Sequence, residues 1–418
     1  MRRVRGAAVL AAVLVLAGCW AVPGAGPTRS GHNPTETVLT PENVSRLVPA
    51  WTWQAEWTTP RAVLEPVTSP GGVHISVGHK LVTLDPATGV ERWRAVLYDA
   101  GIGAQVPVDA GKPAVSGGRV LVPVSIYRNV APGTGTHSYD EQTGADRGLV
   151  APAGIEASIP RDGRVVGTYG TVIGSGIGTV GLFVTDERDA TKSWSANLSV
   201  YGTEGAPPLS SPAVGSDRFF IAFGGEVRSY SLAEPTGCYF PFPGSPYRFC
   251  PSIWSRSFGA GLTRPTLAGD DRLLVAGDAG HVWALEPTTG AEFWSGVLPT
   301  TDAPSAPPSI DAEHVYVVAA GRLALFDRGG CDGAACNPVW SADSGGTVAT
   351  QPAIAGGVVY TATTAGRLRA FPAAGCGAAT CAPLWEHDLG TTITGGPVVS
   401  LGRLFVGTAD GRLIAFQT

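Results

Sequence analysis

The segments LVTLDPATGVERW (residues 81–93) and VWALEPTTGAEFW (residues 282–294) are two copies of one pattern. Each has a run of alternating apolar residues, then an acidic residue followed by Pro-x-Thr-Gly, and a tryptophan at its end. Proline presets φ for a turn, and Gly89 and Gly290 adopt positive φ without steric cost. The pattern therefore predicts a hairpin that leads into a tryptophan-bearing strand and recurs along the chain.

A Pro-x-aliphatic step opens most of the repeat units. The last four of these prolines, Pro265, Pro308, Pro352 and Pro397, are 43, 44 and 45 residues apart. Within a unit, two short alternating runs are separated by a glycine-containing turn, which predicts strands joined as hairpins. Four short strands in a unit of this length are typical of a β-propeller blade.

A tryptophan closes most units, on the strand that the pattern places outermost. A large ring at this position can cover the gap between neighbouring blades. The predicted blade-docking tryptophans are Trp51, Trp93, Trp194, Trp254, Trp294, Trp340 and Trp385. The second unit has Gly148 where the others have the ring.

The two ends of the chain complete each other. The final unit, GGPVVSLGRLFVGTADGRLIAFQT, runs through three strands and ends before any tryptophan. The segment LVPAWTW (residues 47–53) reads as an outer strand with no strands before it. We therefore predict an all-β fold, an eight-bladed propeller of four-stranded antiparallel blades in which this N-terminal strand joins the last blade. Seven blades remain the alternative, with two units merged.

The N-terminus has the features of a bacterial lipoprotein signal. A basic MRRVRG segment precedes a short apolar run, and LAGC follows, so that Cys19 is the predicted lipidation site. An ordinary secretory signal that happens to contain this cysteine is the alternative. We divide the chain into a signal peptide (1–18), a lipidated tether (19–38) and a single propeller domain (39–418), exported and anchored to the outer face of the cell membrane.

The charge of the chain gives no reason to expect a nucleic-acid partner. The formal net charge is −5, and removal of residues 1–18 leaves 34 acidic against 26 basic residues, or −8. An acidic protein has no electrostatic attraction for phosphate backbones. The expected partners are the membrane, through the lipid on Cys19, and an envelope protein or cell-wall ligand.

Six further cysteines predict disulfides, because the protein is expected to be exported. Fifteen connectivities are open, and the blade alignment favours the local one, since each pair falls between the third strand and the outer tryptophan of its unit. A metal site is the competing interpretation, but the spacings fit no zinc motif. The favoured pairs are Cys238–Cys250, Cys331–Cys336 and Cys376–Cys381.

The loop between the first pair of cysteines is rich in aromatic residues. Rigid exposed aromatics are typical of a partner-binding surface, whereas a loop that folds back onto its own blade would have the same composition. The candidate partner-binding residues are Tyr239, Phe240, Phe242, Tyr247 and Phe249.

The repeats, together with the lead-in LTPENVSRLVPAWTW (residues 39–53), resemble the quinoprotein-dehydrogenase-like propellers. The lipobox adds a resemblance to the non-catalytic, BamB-type lipoproteins of that group. The adjacent Cys-Cys pair of the dehydrogenases and a Cys-x-x-Cys-His haem motif are absent. No catalytic, cofactor-binding or metal residue is therefore assigned.

The resemblance implies a non-catalytic platform that binds a protein or a ligand, with no cofactor. The first alternative is a quinoprotein oxidoreductase that uses pyrroloquinoline quinone (PQQ) and calcium. The second is a receptor for cell-wall saccharides. Fold alone does not distinguish these functions.

Overall fold

The computed structural model describes residues 19–56, 61–97, 108–126, 135–152, 156–173, 177–201, 209–245, 247–259, 261–298, 300, 302–332 and 335–418. The predicted signal peptide, residues 1–18, lies outside the described residues. The strands form eight sheets that are the eight blades of a propeller, which confirms the predicted fold class and shows that the seven-blade alternative is wrong.

The blades follow one another in chain order. Strands β1 (His32–Asn33) and β2 (Val48–Gln54) precede the first blade, with a 3-10 turn at Val44–Arg46 between them. Blade 1 contains β3 (Val67–Ser69), β4 (Gly72–Val77), β5 (Lys80–Leu84) and β6 (Glu91–Val96). Blade 2 contains β7 (Val108–Ala110), β8 (Ala114–Ser116), β9 (Arg119–Ile126), β10 (Gly135–Asp140) and β11 (Asp146–Ala151). Blade 3 contains β12 (Ile159–Arg161), β13 (Arg164–Ile173), β14 (Ile177–Asp186) and β15 (Trp194–Tyr201), with a 3-10 turn at Ala190–Lys192.

The second half of the ring has the same order. Blade 4 contains β16 (Ala213–Val214), β17 (Arg218–Phe223), β18 (Glu226–Ser231) and β19 (Trp254–Ser257). Blade 5 contains β20 (Thr266–Ala268), β21 (Arg272–Gly277), β22 (His281–Leu285) and β23 (Glu292–Val297), with a 3-10 turn at Asp278–Gly280. Blade 6 contains β24 (Ser309–Ile310), β25 (His314–Ala319), β26 (Arg322–Asp327) and β27 (Trp340–Asp343). Blade 7 contains β28 (Ala353–Ala355), β29 (Val358–Ala362), β30 (Arg367–Pro372) and β31 (Trp385–Asp388), and blade 8 contains β32 (Ile393–Ser400), β33 (Arg403–Thr408) and β34 (Arg412–Gln417).

The N-terminal strand closes the ring as predicted. Strand β2 pairs antiparallel with β34, with Trp51 opposite Ala415, and so supplies the outer strand of blade 8. Within each blade we name the strands A to D from the central channel outward. The A and B strands are buried almost throughout, whereas the D strands combine exposed, half-buried and buried residues. The apolar core therefore lies between the inner halves of adjacent blades.

Each docking tryptophan lies over the C–D turn of the next blade. The Trp93 ring covers Gly144 so closely that a Cβ at this glycine would lie 2.5 Å from it, and Trp254 covers Gly290 in the same way at 2.7 Å. The indole Nε1 groups donate to backbone oxygens of the next blade, from Trp51 to Pro86 (3.1 Å), Trp93 to Glu141 (2.9 Å), Trp194 to Leu232 (3.3 Å), Trp254 to Pro287 (2.9 Å), Trp294 to Arg328 (2.9 Å) and Trp385 to Leu47 (3.0 Å).

Two blades depart from this rule. The buried Nε1 of Trp340 has no hydrogen-bond partner among the described residues, and the corresponding oxygen, that of Ala373, instead accepts from the Tyr316 hydroxyl at 3.1 Å. In blade 2, Gly148 pairs with Ser138 at the position that Trp93 occupies opposite Thr83 in blade 1. This contact between blades 2 and 3 therefore lacks the ring, as the sequence predicts.

Candidate functional site

Residues 20–33, which we call the inner ring, run around the inside of the central channel. The A strands of six blades donate backbone N–H groups to its carbonyl oxygens: Thr68 to Trp20 (2.9 Å), Val115 to Ala21 (2.7 Å), Val214 to Pro27 (2.8 Å), Leu267 to Thr28 (2.9 Å), Ile310 to Ser30 (2.9 Å) and Ile354 to Gly31 (2.8 Å). The matching residue of blade 3 is Pro160, which has no N–H to donate. Blade 8 is reached by Asn33, whose Nδ2 donates to the Val399 oxygen at 2.9 Å.

The inner ring corrects the assignment of residues 19–38 to a lipidated tether. Trp20 and Val22 are buried, and Arg29 has no exposed surface. The segment binds because the inward N–H groups of the A strands need acceptors, which an extended chain supplies. Gly24 and Gly31, both at positive φ, give the turns that keep it in the channel. The glycines and prolines of the segment therefore serve a fixed conformation.

A group of charged and polar side chains, which we call the channel floor, lies against the inner ring. It comprises Arg29 from the ring and Glu65, Lys112, Glu156, Arg264 and Gln351 from blades 1, 2, 3, 5 and 7. Residues from such distant blades meet only at the propeller axis. The contacts are Lys112 Nζ to Glu156 Oε1 (2.6 Å) and Glu65 Oε2 (3.2 Å), Arg29 Nη2 to Glu156 Oε2 (3.4 Å), and Arg264 Nη2 to Gln351 Oε1 (2.8 Å).

The charges of the channel floor stabilise one another. Burial raises the pKa of Glu65 and Glu156, but Lys112 and Arg29 outweigh this effect and hold both pKa values below the ordinary value. Burial lowers the pKa of Lys112, and the two carboxylates outweigh it, so that the net shift is upward. Burial, followed by repulsion from Arg29, lowers the pKa of Arg264 to about 9. Glu65, Glu156, Lys112 and Arg264 are therefore all ionised at neutral pH.

The channel floor was not predicted from the sequence, although the repeat contains a signal for it. Glu65, Lys112, Arg264 and Gln351 each directly precede the proline that opens a unit. A residue before proline is held in an extended conformation, and here this position begins the A strand and directs the side chain toward the axis. Aligning the units on their prolines would have placed these side chains together.

Cys19, the predicted lipidation site, lies where the inner ring begins. The backbone N–H of Trp20 donates to Thr68 Oγ1 at 2.7 Å, next to the A–B turn of blade 1. The N–H of Gly71 in that turn donates to Glu141 Oε1 at 3.0 Å, in the C–D turn of blade 2. Burial and then the Glu141 carboxylate raise the pKa of the Cys19 thiol. Cys19 is thus on the side of the disc that has the A–B and C–D turns, which we call the turn face.

The three local disulfides close enlarged C–D loops on blades 4, 6 and 7. Each loop also lies along the D strand of the preceding blade. The backbone hydrogen bonds are Asn197 N to Arg248 O (2.6 Å), Cys336 N to Ser295 O (2.8 Å) and Cys381 N to Ser341 O (3.1 Å). The first loop does not fold back onto its own blade alone, since it also lies along the edge of blade 3. Each disulfide loop therefore connects its own blade to the preceding one, and we call this contact a clasp.

The aromatic residues of the first loop divide into two groups. Phe249 forms an isolated β-bridge with Asn197 on blade 3. It forms a second isolated β-bridge with Tyr239, and the two aromatic rings are stacked with their centroids 5.8 Å apart. Tyr239, Phe240 and Phe242 are 59%, 57% and 56% exposed. A groove of about 320 Å³ lies beside them, lined by blade 3 and blade 4 residues that include Leu198, Tyr230, Tyr239 and Phe249. Tyr247 is half-buried, so the exposed aromatic surface contains fewer residues than the five predicted.

Trp20 of the inner ring lies beside the channel floor, since its side chain is buried and its Nε1 donates to Glu65 Oε1 at 3.2 Å. Within the described ranges, no group of three or more His, Cys, Asp or Glu residues could hold a metal ion. Nor does that part of the chain contain a helix long and apolar enough to span a bilayer.

Comparisons with known proteins agree with the fold. A protein-family model described as outer membrane protein assembly factor BamB matches residues 251–375. The structure of BamB from Moraxella catarrhalis has a TM-score of 0.55 at 14% identity, and the match covers 89% of this chain and 98% of that one. No curated protein matches the sequence.

Quinoprotein enzymes have the same architecture. A europium-containing methanol dehydrogenase matches with a TM-score of 0.64 at 12% identity, covering 96% of this chain and 98% of its own. The quinohemoprotein alcohol dehydrogenase ADHIIG from Pseudomonas putida HK5 matches with a TM-score of 0.66 at 14% identity, covering 96% and 80%. The chain is thus a β-propeller that resembles BamB and the quinoprotein dehydrogenases, and identities this low establish only the fold.

Proposed function

We propose that this protein is a lipid-anchored, extracytoplasmic platform that binds an envelope protein through the aromatic loop at residues 238–250. The observation behind this proposal is that Tyr239, Phe240 and Phe242 are each more than half exposed on a loop that a disulfide and a clasp hold rigid. Rigid aromatic side chains lose little conformational entropy on binding, and they therefore serve as anchors of protein interfaces.

The position of Cys19 supports a membrane-proximal role. Residue 20 is already bound to blade 1, so acyl chains on Cys19 would leave the disc directly at its turn face, with no flexible spacer. A lipid placed there would keep the C–D loops near the membrane surface. The partner is therefore expected to be anchored in, or to lie on, the same membrane.

We expect substitution of the three exposed aromatics to abolish partner capture. Tyr239, Phe240 and Phe242 are changed together to serine, and the protein is crosslinked in its own cells and purified. A protein captured by the wild type should be lost, because its binding pocket no longer receives an aromatic anchor. Phe293→Ser is the matched control, since Phe293 is also exposed (47%) but lies on the D strand of blade 5. Equal capture by the triple variant and the wild type would contradict the proposed surface.

The alternative function, a quinoprotein oxidoreductase, has one observation in its favour, the similarity to two quinone-dependent dehydrogenases. We expect no activity of this kind, because the adjacent Cys-Cys pair of these dehydrogenases is absent from the sequence. After incubation with PQQ and calcium ions and then desalting, the protein should retain no quinone absorbance and should not reduce an acceptor dye with alcohols or aldoses. A retained chromophore together with dye reduction would show that the protein is a quinoprotein oxidoreductase and would contradict the proposed platform function.

A further inference from the structure

The channel floor contains guanidinium groups that are buried but incompletely hydrogen-bonded. Arg29 has no exposed surface, and its Nε and Nη1 have no partner among the described residues. Arg264 is 8% exposed, and its Nη1 also has no hydrogen-bond partner among the described residues. Buried polar groups of proteins are nearly always paired, and a buried charged donor without an acceptor is strongly unfavourable. These N–H groups therefore call for an acceptor that the described side chains do not supply.

The charges of the channel floor do not cancel either. Three cations, Arg29, Lys112 and Arg264, face two anions, Glu65 and Glu156, which leaves a net charge of +1 among the described residues. Water could hydrogen-bond to the free N–H groups, but it would not neutralise the charge. One monovalent anion does both.

We propose that the channel floor binds the carboxylate group of a small molecule between Arg29 and Arg264. Free N–H groups of Arg29 and Arg264 would each donate a charge-assisted hydrogen bond to the carboxylate. Gln351 Oε1 accepts from Arg264 Nη2 and Gln351 Nε2 donates to the backbone oxygen of Arg29, each at 2.8 Å, while Glu156 Oε2 accepts from Arg29 Nη2 at 3.4 Å. These contacts hold both guanidinium groups in place before the ligand arrives.

The site is connected to solvent. The side chains of Lys112 and Glu156 are 20% and 33% exposed to solvent, although the Arg29 side chain beside them is fully buried. A small molecule can thus reach the floor along the channel, while the inner ring closes the end behind it. This inference is independent of the aromatic loop.

The test uses acetate as the probe. The thermal midpoint of the purified protein is measured near pH 7 at constant ionic strength while chloride is replaced by acetate, and separately by phosphate. We expect a saturable rise with acetate, of about 3 °C at a hundredfold excess over Kd for a chain of this size. The proposal would be overturned if the thermal midpoint in acetate were no higher than in chloride. It would also be overturned if phosphate raised the midpoint and acetate did not.

Substitution of Arg264 separates a ligand site from a structural ion pair. Arg264→Gln brings the net charge of the floor to zero, so this variant should lose the acetate response and have a midpoint in chloride at or above that of the wild type. Arg403→Gln is the control, because Arg403 also has a buried Nε without a partner in the described structure but lies on β33, outside the channel floor. It should keep the full acetate response. A full response in Arg264→Gln, or its loss in Arg403→Gln, would exclude this site.

Discussion

Replacement of Glu65 by glutamine is expected to lower the free energy of unfolding by about 3–5 kcal/mol, as is typical when one partner of a buried charge cluster is removed. The Glu65 carboxylate accepts from Trp20 Nε1 at 3.2 Å and from the Gly24 N–H at 2.7 Å, and it pairs with Lys112 Nζ at 3.2 Å. Its loss weakens the start of the inner ring and raises the charge of the channel floor from +1 to +2. Urea denaturation measures the change.

The matched control is Glu292→Gln. Glu292 pairs with Arg256 at 2.7 Å, but both side chains are about one-third exposed, and a solvated pair of this kind contributes at most about 1 kcal/mol. If the two variants lose equal stability, the channel floor is not the buried cluster described here.

The same substitution should alter the acid limb of stability. The pKa of Glu65 in the folded protein lies below its ordinary value of 4.5, so the unfolded chain binds a proton more readily than the folded one. Stability from this group is fully present above pH 4.5 and is lost as the pH falls through the folded-state pKa. Glu65→Gln should therefore show a shallower loss of stability on acidification than the wild type.

Gly144→Ala is expected to destabilise the protein by about 2–4 kcal/mol more than Gly118→Ala. Both glycines belong to blade 2 and have nearly the same φ, 71° and 72°. A Cβ at Gly118 meets nothing within 4 Å, whereas a Cβ at Gly144 lies 2.5 Å from the Trp93 ring. The difference between the two variants measures the contact between blades 1 and 2, because the backbone penalty is common to both.

A second substitution tests the cause. Trp93→Leu in the Gly144→Ala background should recover part of the loss, since the smaller side chain leaves room for the methyl group, although Trp93→Leu alone destabilises. Equal losses for Gly144→Ala and Gly118→Ala in urea denaturation would mean that the ring does not constrain the turn.

The fold was predictable because its signals are local and repeated. Alternation and the closing tryptophan recur in successive units, the Pro-x-Thr-Gly turn occurs in two of them, and the incomplete last unit predicts the strand that β2 supplies. Even the exception at Gly148 is visible, because it interrupts a pattern that its neighbours keep. A repeat provides several observations of each structural rule.

The inner ring and the channel floor were not predicted, since they depend on contacts between residues far apart in sequence. Nothing in WAVPGAGPTRSGHN distinguishes a flexible spacer from a segment that binds seven blades. The same applies to Glu65 and Arg264, which are 199 positions apart in sequence and meet only because the ring closes. Their shared position before a proline was informative only once the A strands were known to face the axis.

The inner ring also determines the order in which the molecule can fold. Its contacts with the blades span sequence separations from 41 residues, between Gly24 and Glu65, to 366 residues, between Asn33 and Val399. Individual blades are local hairpins that can form as soon as their own residues are available, whereas such distant contacts form late. The first residues of the folded body therefore have no complete binding site until blade 8 is in place, and a chain truncated at any blade would leave them, and the channel, open.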